Sequence, residues 1–298
     1  MNMIKDGIHY DQSPRQYHSW KFHKEAGPIS TSILKRFINE GPKGVLRIQD
    51  PPFSPALVWG SLVDTLNFTP NDFPTEFVMA SECDDIGEDG SFRKKAAREW
   101  RDAVLAGGQM IVTDEQFEAA TDAVKVLRST PVSARLLEGA RYQTALVYTG
   151  AHGIPAKGLV DCIPQGASGD AIVDLKTTSA NIYNDDELAR SVFKYGYHLQ
   201  ASFYLFLWNR LSDKPRKRWE IIWQSSKPPY EVRVTELDNL TLDAGEEMVR
   251  EYFERLVRRI KTGEWHSPFR EKKTMLRIHT PSVFAEEQRL ELMQELEA

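Results

Sequence analysis

Residues 158–179, GLVDCIPQGASGDAIVDLKTTS, constrain the fold of this chain more than any other stretch. Two short apolar runs are separated by Gln165, Gly166, Ala167, Ser168 and Gly169, the pattern of a β-hairpin. Opposed residues of an antiparallel pair share a constant sum of residue numbers. Pairing Asp161 with Asp174 puts the midpoint between Ala167 and Ser168, inside the turn. Opposed residues have Cα atoms about 4.5–5.5 Å apart, so the two carboxylates would lie close together and repel unless a cation sat between them. Lys176 follows Asp174 by two positions and shares its face of the strand. One face of one hairpin thus carries Asp161, Asp174 and Lys176. The spacing alone also fits a surface hairpin with scattered charges, Lys176 pairing with one aspartate for solubility.

Carboxylate oxygens are the ligands that Mg²⁺ and Mn²⁺ prefer. A bound divalent ion lowers the pKa of a water and stabilises charge on a phosphate oxygen, and an adjacent ammonium can orient the water or hold the phosphate. Downstream, KYGYHLQASFYLFLW (194–208) places Tyr197, Gln200 and Tyr204 on one face of a helix. The tyrosines alone would fit an ordinary buried helix with polar edges.

Taken together, Val160–Asp161, Asp174–Leu175–Lys176–Thr177–Thr178, and Tyr197–His198–Leu199–Gln200 to Tyr204 resemble the PD-(D/E)XK nuclease superfamily. The likeness is to its RecE-type branch of phage and prophage recombination exonucleases, which includes relatives of the RecB nuclease domain and of lambda exonuclease. It covers roughly residues 28 to 262 and is most specific over 158–204. It implies an α/β fold with a restriction-endonuclease-like core, a mixed central sheet flanked by helices, and an N-terminal helical section. It implies a metal-dependent exonuclease, 5′→3′ on linear double-stranded DNA with free ends, supplying single strands for annealing. Asp161, Asp174 and the Leu175 carbonyl would hold one or two Mg²⁺ ions, with Mn²⁺ able to substitute. Lys176 would position the attacking water or stabilise charge on the phosphate. Gln200 and Tyr204 would orient the DNA backbone or Lys176. Relatives form trimeric or tetrameric rings and pair with a single-strand annealing protein.

Two departures from the family pattern bear on the site. The helix read over 55–68 carries Asp64 where the family usually has a histidine beside the metal, so Asp64 either becomes a further metal ligand, alters the site, or simply faces solvent. The strand read over 142–149 has Gln143 where a glutamate is common, and an amide is the poorer ligand. Two rival readings stand beside the exonuclease: a structure-specific or restriction-like endonuclease, and a DNA-binding or assembly protein with a decayed site.

The remaining sequence sets the frame. A composition 41% hydrophobic and 27% charged is globular, and 298 residues suit one large domain or one domain with an embellishment. A net charge of −5 counts mildly against a DNA substrate without excluding a local basic groove. Cys83 and Cys162 lack metal-site spacing, and neither a membrane span nor a signal peptide is evident, so a cytoplasmic protein is expected. Residues 1–27 read as an arm and 28–263 as the nuclease domain. Residues 264–298 read as a tail with a helix over 282–297, covering a subunit interface or staying mobile. Helices are expected over 27–42, 55–68, 91–106, 114–128, 131–140, 186–194, 195–211 and 238–262, with a loop over 70–90 and a second hairpin from 217–224 and 230–235. In 91–106, Arg93, Lys94, Lys95, Arg98 and Arg101 surround Trp100, as either a solvated helix face or the wall of a DNA channel.

Overall fold

The computed structural model of the protein describes residues 5–10, 13–47, 53–87 and 90–267. The chain divides into two units, Met1–Glu264 and Trp265–Ala298. The tail helix expected over 282–297 lies outside the described residues.

Local sequence sets the element boundaries. The elements begin with strand β1 (Gly7–His9) and helices α1 (Pro14–Ser19) and α2 (Thr31–Leu46). Ser30 caps α2 by accepting from the Ile33 N–H, and Ile33, Leu34 and Phe37 form its buried face. At Gly41 the backbone turns to φ 72°, so Pro42 starts a second helical piece where the sequence pattern ended the first. Helix α3 (Pro55–Phe68) opens with a Ser54 cap and Pro at its first turn. The region read as loop, 70–90, contains α4 (Phe73–Glu76) and β2 (Phe77–Met79). Next come α5 (Lys95–Ala106), β3 (Met110–Val112), which pairs with β2 in parallel, α6 (Asp114–Ser129) with a Thr113–Gln116 capping box, and α7 (Pro131–Leu137).

The central sheet follows: β4 (Arg141–Tyr148), β5 (Ala156–Ile163) and β6 (Ala171–Thr178), then helices α8 (Asp185–Lys194) and α9 (Tyr197–Leu211), then β7 (Arg218–Ser225), β8 (Val232–Glu236) and the long helix α10 (Asn239–Thr262). Its strand order is β1-β4-β5-β6-β7-β8. All neighbours are antiparallel except β6 and β7, which the α8–α9 crossover makes parallel. The fold is therefore a mixed α/β sheet flanked by helices. Residues of α3, α6 and α7 (Leu62, Val63, Leu127, Leu137) share one apolar core with Cys162, Val173, Leu175 and Ile222 of the sheet. Because side chains alternate along a strand, Asp174 and Lys176 point away from that core, toward α9.

The first 27 residues, read as an arm, contribute the edge strand β1 and helix α1. They are fastened by Lys157 of β5, which is 6% exposed and whose ammonium donates to the Tyr17 and Trp20 carbonyls at 2.8 Å each. Among the described residues no helix is long and apolar enough to cross a membrane.

Helix α9 lies on β5 through a gap at Gly158. A methyl group there would stand 2.8 Å from a ring carbon of Tyr204. Because Tyr204 is itself buried, the ring has little room to withdraw. Gly158→Ala should therefore lower stability by about 1–3 kcal/mol through overpacking. Thermal unfolding checks this, and an unchanged midpoint would show that the ring can shift freely.

Candidate active site

The single bridged pair of the β5–β6 hairpin, Cys162↔Val173, has the register that sets Asp161 across from Asp174. Only that pair is bridged, so the backbone ladder does not continue through the two aspartates. The Asp161 side chain fills the break: its Oδ2 accepts from the Leu175 N–H at 3.0 Å. Asp174 is 2% exposed, and its two oxygens face different groups. Oδ1 accepts from Gln200 Nε2 at 2.8 Å, and Oδ2 makes an ion contact with Lys176 Nζ at 2.6 Å. The Lys176 ammonium also lies 5.0 Å from the centre of the Tyr197 ring.

The hairpin thus brings Asp161, Asp174 and Lys176 together, and the first turn of α9 adds Gln200. Gln200 reaches Asp174 rather than Lys176 or an open DNA surface. Tyr204 occupies a different place from the one its motif position implied. The residue is 6% exposed, and its hydroxyl lies among Tyr17, Thr31 and the Leu159 backbone. It packs α9 against β5 at Gly158, within electrostatic reach of Asp161 and Asp174. Tyr197, one turn before Gln200, is the tyrosine beside the lysine.

Helix α3 brings in Asp64. Its Gly60 lets the helix approach β6, since a methyl group there would stand 3.3 Å from Thr177 Oγ1. Asp64 Oδ2 accepts from Gln143 Nε2 at 2.8 Å, so Asp64 is turned into the protein rather than to solvent. Gln143 is 3% exposed and has φ 46°, a left-handed conformation unusual for this residue type. Its neighbours pair as Tyr142↔Cys162 and Thr144↔Val160, so it stands opposite Asp161 in the ladder and its pair is the one interrupted. The strained turn aims the amide at Asp64. The sequence signal was a polar residue inside an apolar strand.

The electrostatics follow from crowding acids around one lysine. Burial, then the Asp174 and Asp64 carboxylates, push Asp161 well above the ordinary carboxylate range against the pull of Lys176 and the Leu175 N–H. Burial opposes the charge on Lys176, but Asp174 and Asp161 outweigh it and hold the ammonium above the usual lysine value. Burial raises Asp64 to about 7, with Lys176 lowering and Asp174 and Glu76 raising it.

Asp64 makes the metal-free protein pH-sensitive. Its folded pKa lies above the unfolded value, so between the two the folded state holds the extra proton and stability falls as pH rises. The loss runs from about pH 4 to about pH 7 and is complete above that. Asp64→Asn removes it. In EDTA the variant should gain on the wild type by on the order of 2 kcal/mol between pH 5 and pH 8. Thermal unfolding at the two pH values reads this directly, and an equal difference at both would place Asp64 in a solvated setting.

The oxygen donors suit a hard divalent cation. Asp174 Oδ2 is buried with no donor aligned on it for a hydrogen bond, leaving only the Lys176 contact. The N–H and C=O of one strand residue point to the same side, so the Leu175 carbonyl faces Asp161 as its N–H does. Two carboxylates and a carbonyl form an all-oxygen set. Among the described residues, no three His, Cys, Asp or Glu side chains converge as a ready-made chelating group. At and within α5, Lys94 meets Asp85, Lys95 meets Glu99 and Arg101 meets Asp102, all in exposed ion pairs.

Comparison with solved structures finds the same architecture. A provisionally named exonuclease from Eubacterium rectale superposes with a TM-score of 0.54 at 16% identity, covering 91% of this chain and 96% of that one. An alkaline exonuclease from Laribacter hongkongensis aligns over 65% of this chain and 95% of its own, at 15% identity and a TM-score of 0.30. A phage-related exonuclease from Haemophilus somnus aligns over 63% and 96%, at 16% identity and a TM-score of 0.32. At such identities the first of these establishes a common fold, and the other two add nothing to that. No curated protein is a significant match to the sequence. A family model matches residues 31–274, and the chain belongs to that family, the PDDEXK-like domain of unknown function DUF3799.

Proposed function

We propose that the protein is a metal-dependent DNA exonuclease, degrading linear double-stranded DNA 5′→3′ from free ends and leaving single strands for recombination by annealing. One observation carries the reading: Asp161, Asp174 and Lys176 meet in a buried cluster that Gln200 braces. Asp161, Asp174 and the Leu175 carbonyl would hold Mg²⁺, with Mn²⁺ able to substitute, and Asp64 would approach as a further ligand. A divalent cation there supplies an activated water and stabilises charge on the phosphate oxygens. Lys176 orients the water or stabilises the phosphate charge, and Gln200 keeps the Asp174 carboxylate in one orientation. The resemblance to recombination exonucleases supports action in the cytoplasm, a homo-oligomeric ring and an annealing-protein partner.

The test is digestion of linear duplex DNA labelled at the 5′ or the 3′ terminus, with Mg²⁺ or with EDTA, beside a covalently closed circle. Early release of 5′ label as mononucleotide, requiring metal and sparing the circle, is the expected result. Early release of 3′ label would reverse the polarity, and cutting of the circle would make the enzyme an endonuclease. No cleavage with any metal would leave a DNA-binding or assembly protein.

A further inference from the structure

A second lysine stands at this site and, among the described residues, has no carboxylate of its own. Lys35, on α2, lies over the same Tyr197 ring as Lys176, its ammonium 5.5 Å from the ring centre. Among the described residues it forms no ion pair; Asp174, the carboxylate that acts on it, is already contacted by Lys176. Its stem is packed against Gly196, the left-handed residue (φ 63°) that caps α9. A methyl group at 196 would stand 3.1 Å from Lys35 Cε, so the chain keeps that space for the lysine stem. The side chain is thus placed by packing, and its charge shares Tyr197 and Asp174 with Lys176.

That arrangement costs free energy in the isolated protein. Burial, then repulsion from Lys176, pushes Lys35 down to about 8. Two ammonium groups on one aromatic ring are a poor arrangement for stability and a good one for an incoming polyanion. The DNA backbone presents phosphates in series, and each lysine that meets one releases condensed counterions.

We propose that Lys35 is a second phosphate-contacting group of the site, binding the DNA phosphate adjacent to the one that Lys176 serves. The inference rests on the nuclease reading above and assigns Lys35 to substrate binding. Its aliphatic stem has a separate, structural role against Gly196, so the two must be separated experimentally. Lys35→Met keeps most of the stem and removes the charge, Lys35→Gln is a second neutral variant, and Lys35→Arg restores charge.

The experiment measures binding of the full chain to a short linear duplex in EDTA over a range of salt concentrations, alongside kcat and KM for its cleavage with Mn²⁺. For Lys35→Met or Lys35→Gln, the slope of log affinity against log salt should fall by about one relative to wild type. Their kcat/KM should fall roughly 10- to 100-fold, and Lys35→Arg should recover most of both losses. A purely structural role would move the unfolding midpoint and leave the salt slope unchanged. A wild-type slope in a folded neutral variant overturns the proposal. Wild-type protein that binds the duplex but never cleaves it would end the nuclease reading, while the slope still decides on Lys35. Wild-type protein that does not bind DNA would overturn both.

Discussion

Lys176→Ala should reduce DNA cleavage by about 10³-fold or more while duplex binding is retained. The size of the effect follows from what the ammonium does. It lies 2.6 Å from Asp174 Oδ2 in a position 19% exposed, so water does little to screen it. Removing it deletes the ammonium proposed to serve the phosphate and leaves the buried Asp174 oxygen with neither ion pair nor aligned donor. That second consequence affects the fold as well. An uncompensated buried carboxylate costs about 3–5 kcal/mol, or less where the group takes up a proton instead. The variant must therefore be compared with Lys176→Arg and shown to be folded by circular dichroism before its rate is interpreted. A folded Lys176→Ala protein that cleaves at the wild-type rate would remove the lysine from the mechanism.

What could be read before the structure was whatever depends on short-range pairing. The sum rule for Asp161 and Asp174 needed only the hairpin turn, and the observed Cys162↔Val173 register obeys it. The capped helices α2, α3 and α6 were equally legible, because Ser30, Ser54 and Thr113 act on residues three positions away. Elements stabilised from afar were not. Strand β1 is three residues long and exists because β4 is there to pair with it; β2 and β3 likewise hold one another across an intervening helix.

The site divides along the same line. Spacing placed Gln200 and Tyr204 one helical turn apart on a common face, but their partners separate them. Gln200 ends at Asp174, whereas the longer Tyr204 ring passes into the space at Gly158 and toward Thr31. Gln143 read as a weakened ligand position, yet a positive φ turns its amide onto Asp64, and no local pattern announces that conformation. Lys35 closes the Ser30-x-Ser32-x-Leu34-Lys35 run by which the opening helix resembles RecE-type proteins, but its place beside Lys176 on the Tyr197 ring is visible only in the structure.

Asp174 is where these contacts converge, so its replacement is the second decisive experiment. Asp174→Asn keeps the shape and leaves a carbonyl oxygen able to accept from Gln200, but it removes the charge that pairs with Lys176. Cleavage should fall by about 10³-fold or more, and the Mn²⁺ binding heat in calorimetry should be lost or strongly weakened. Asp174→Ala should do the same and also strand the Gln200 amide and the Lys176 ammonium in a buried setting, at a cost of several kcal/mol, roughly 3–5. The difference between the two variants separates chemistry from architecture. If both lose cleavage but only the alanine form loses stability, the carboxylate's charge belongs to the reaction and its volume and acceptor to the fold. An unchanged Mn²⁺ titration in a folded Asp174→Asn protein would mean that the ion sits elsewhere, and Asp64 with Gln143 would then be the place to look, because α3 brings that carboxylate within electrostatic reach of Asp161 and Lys176.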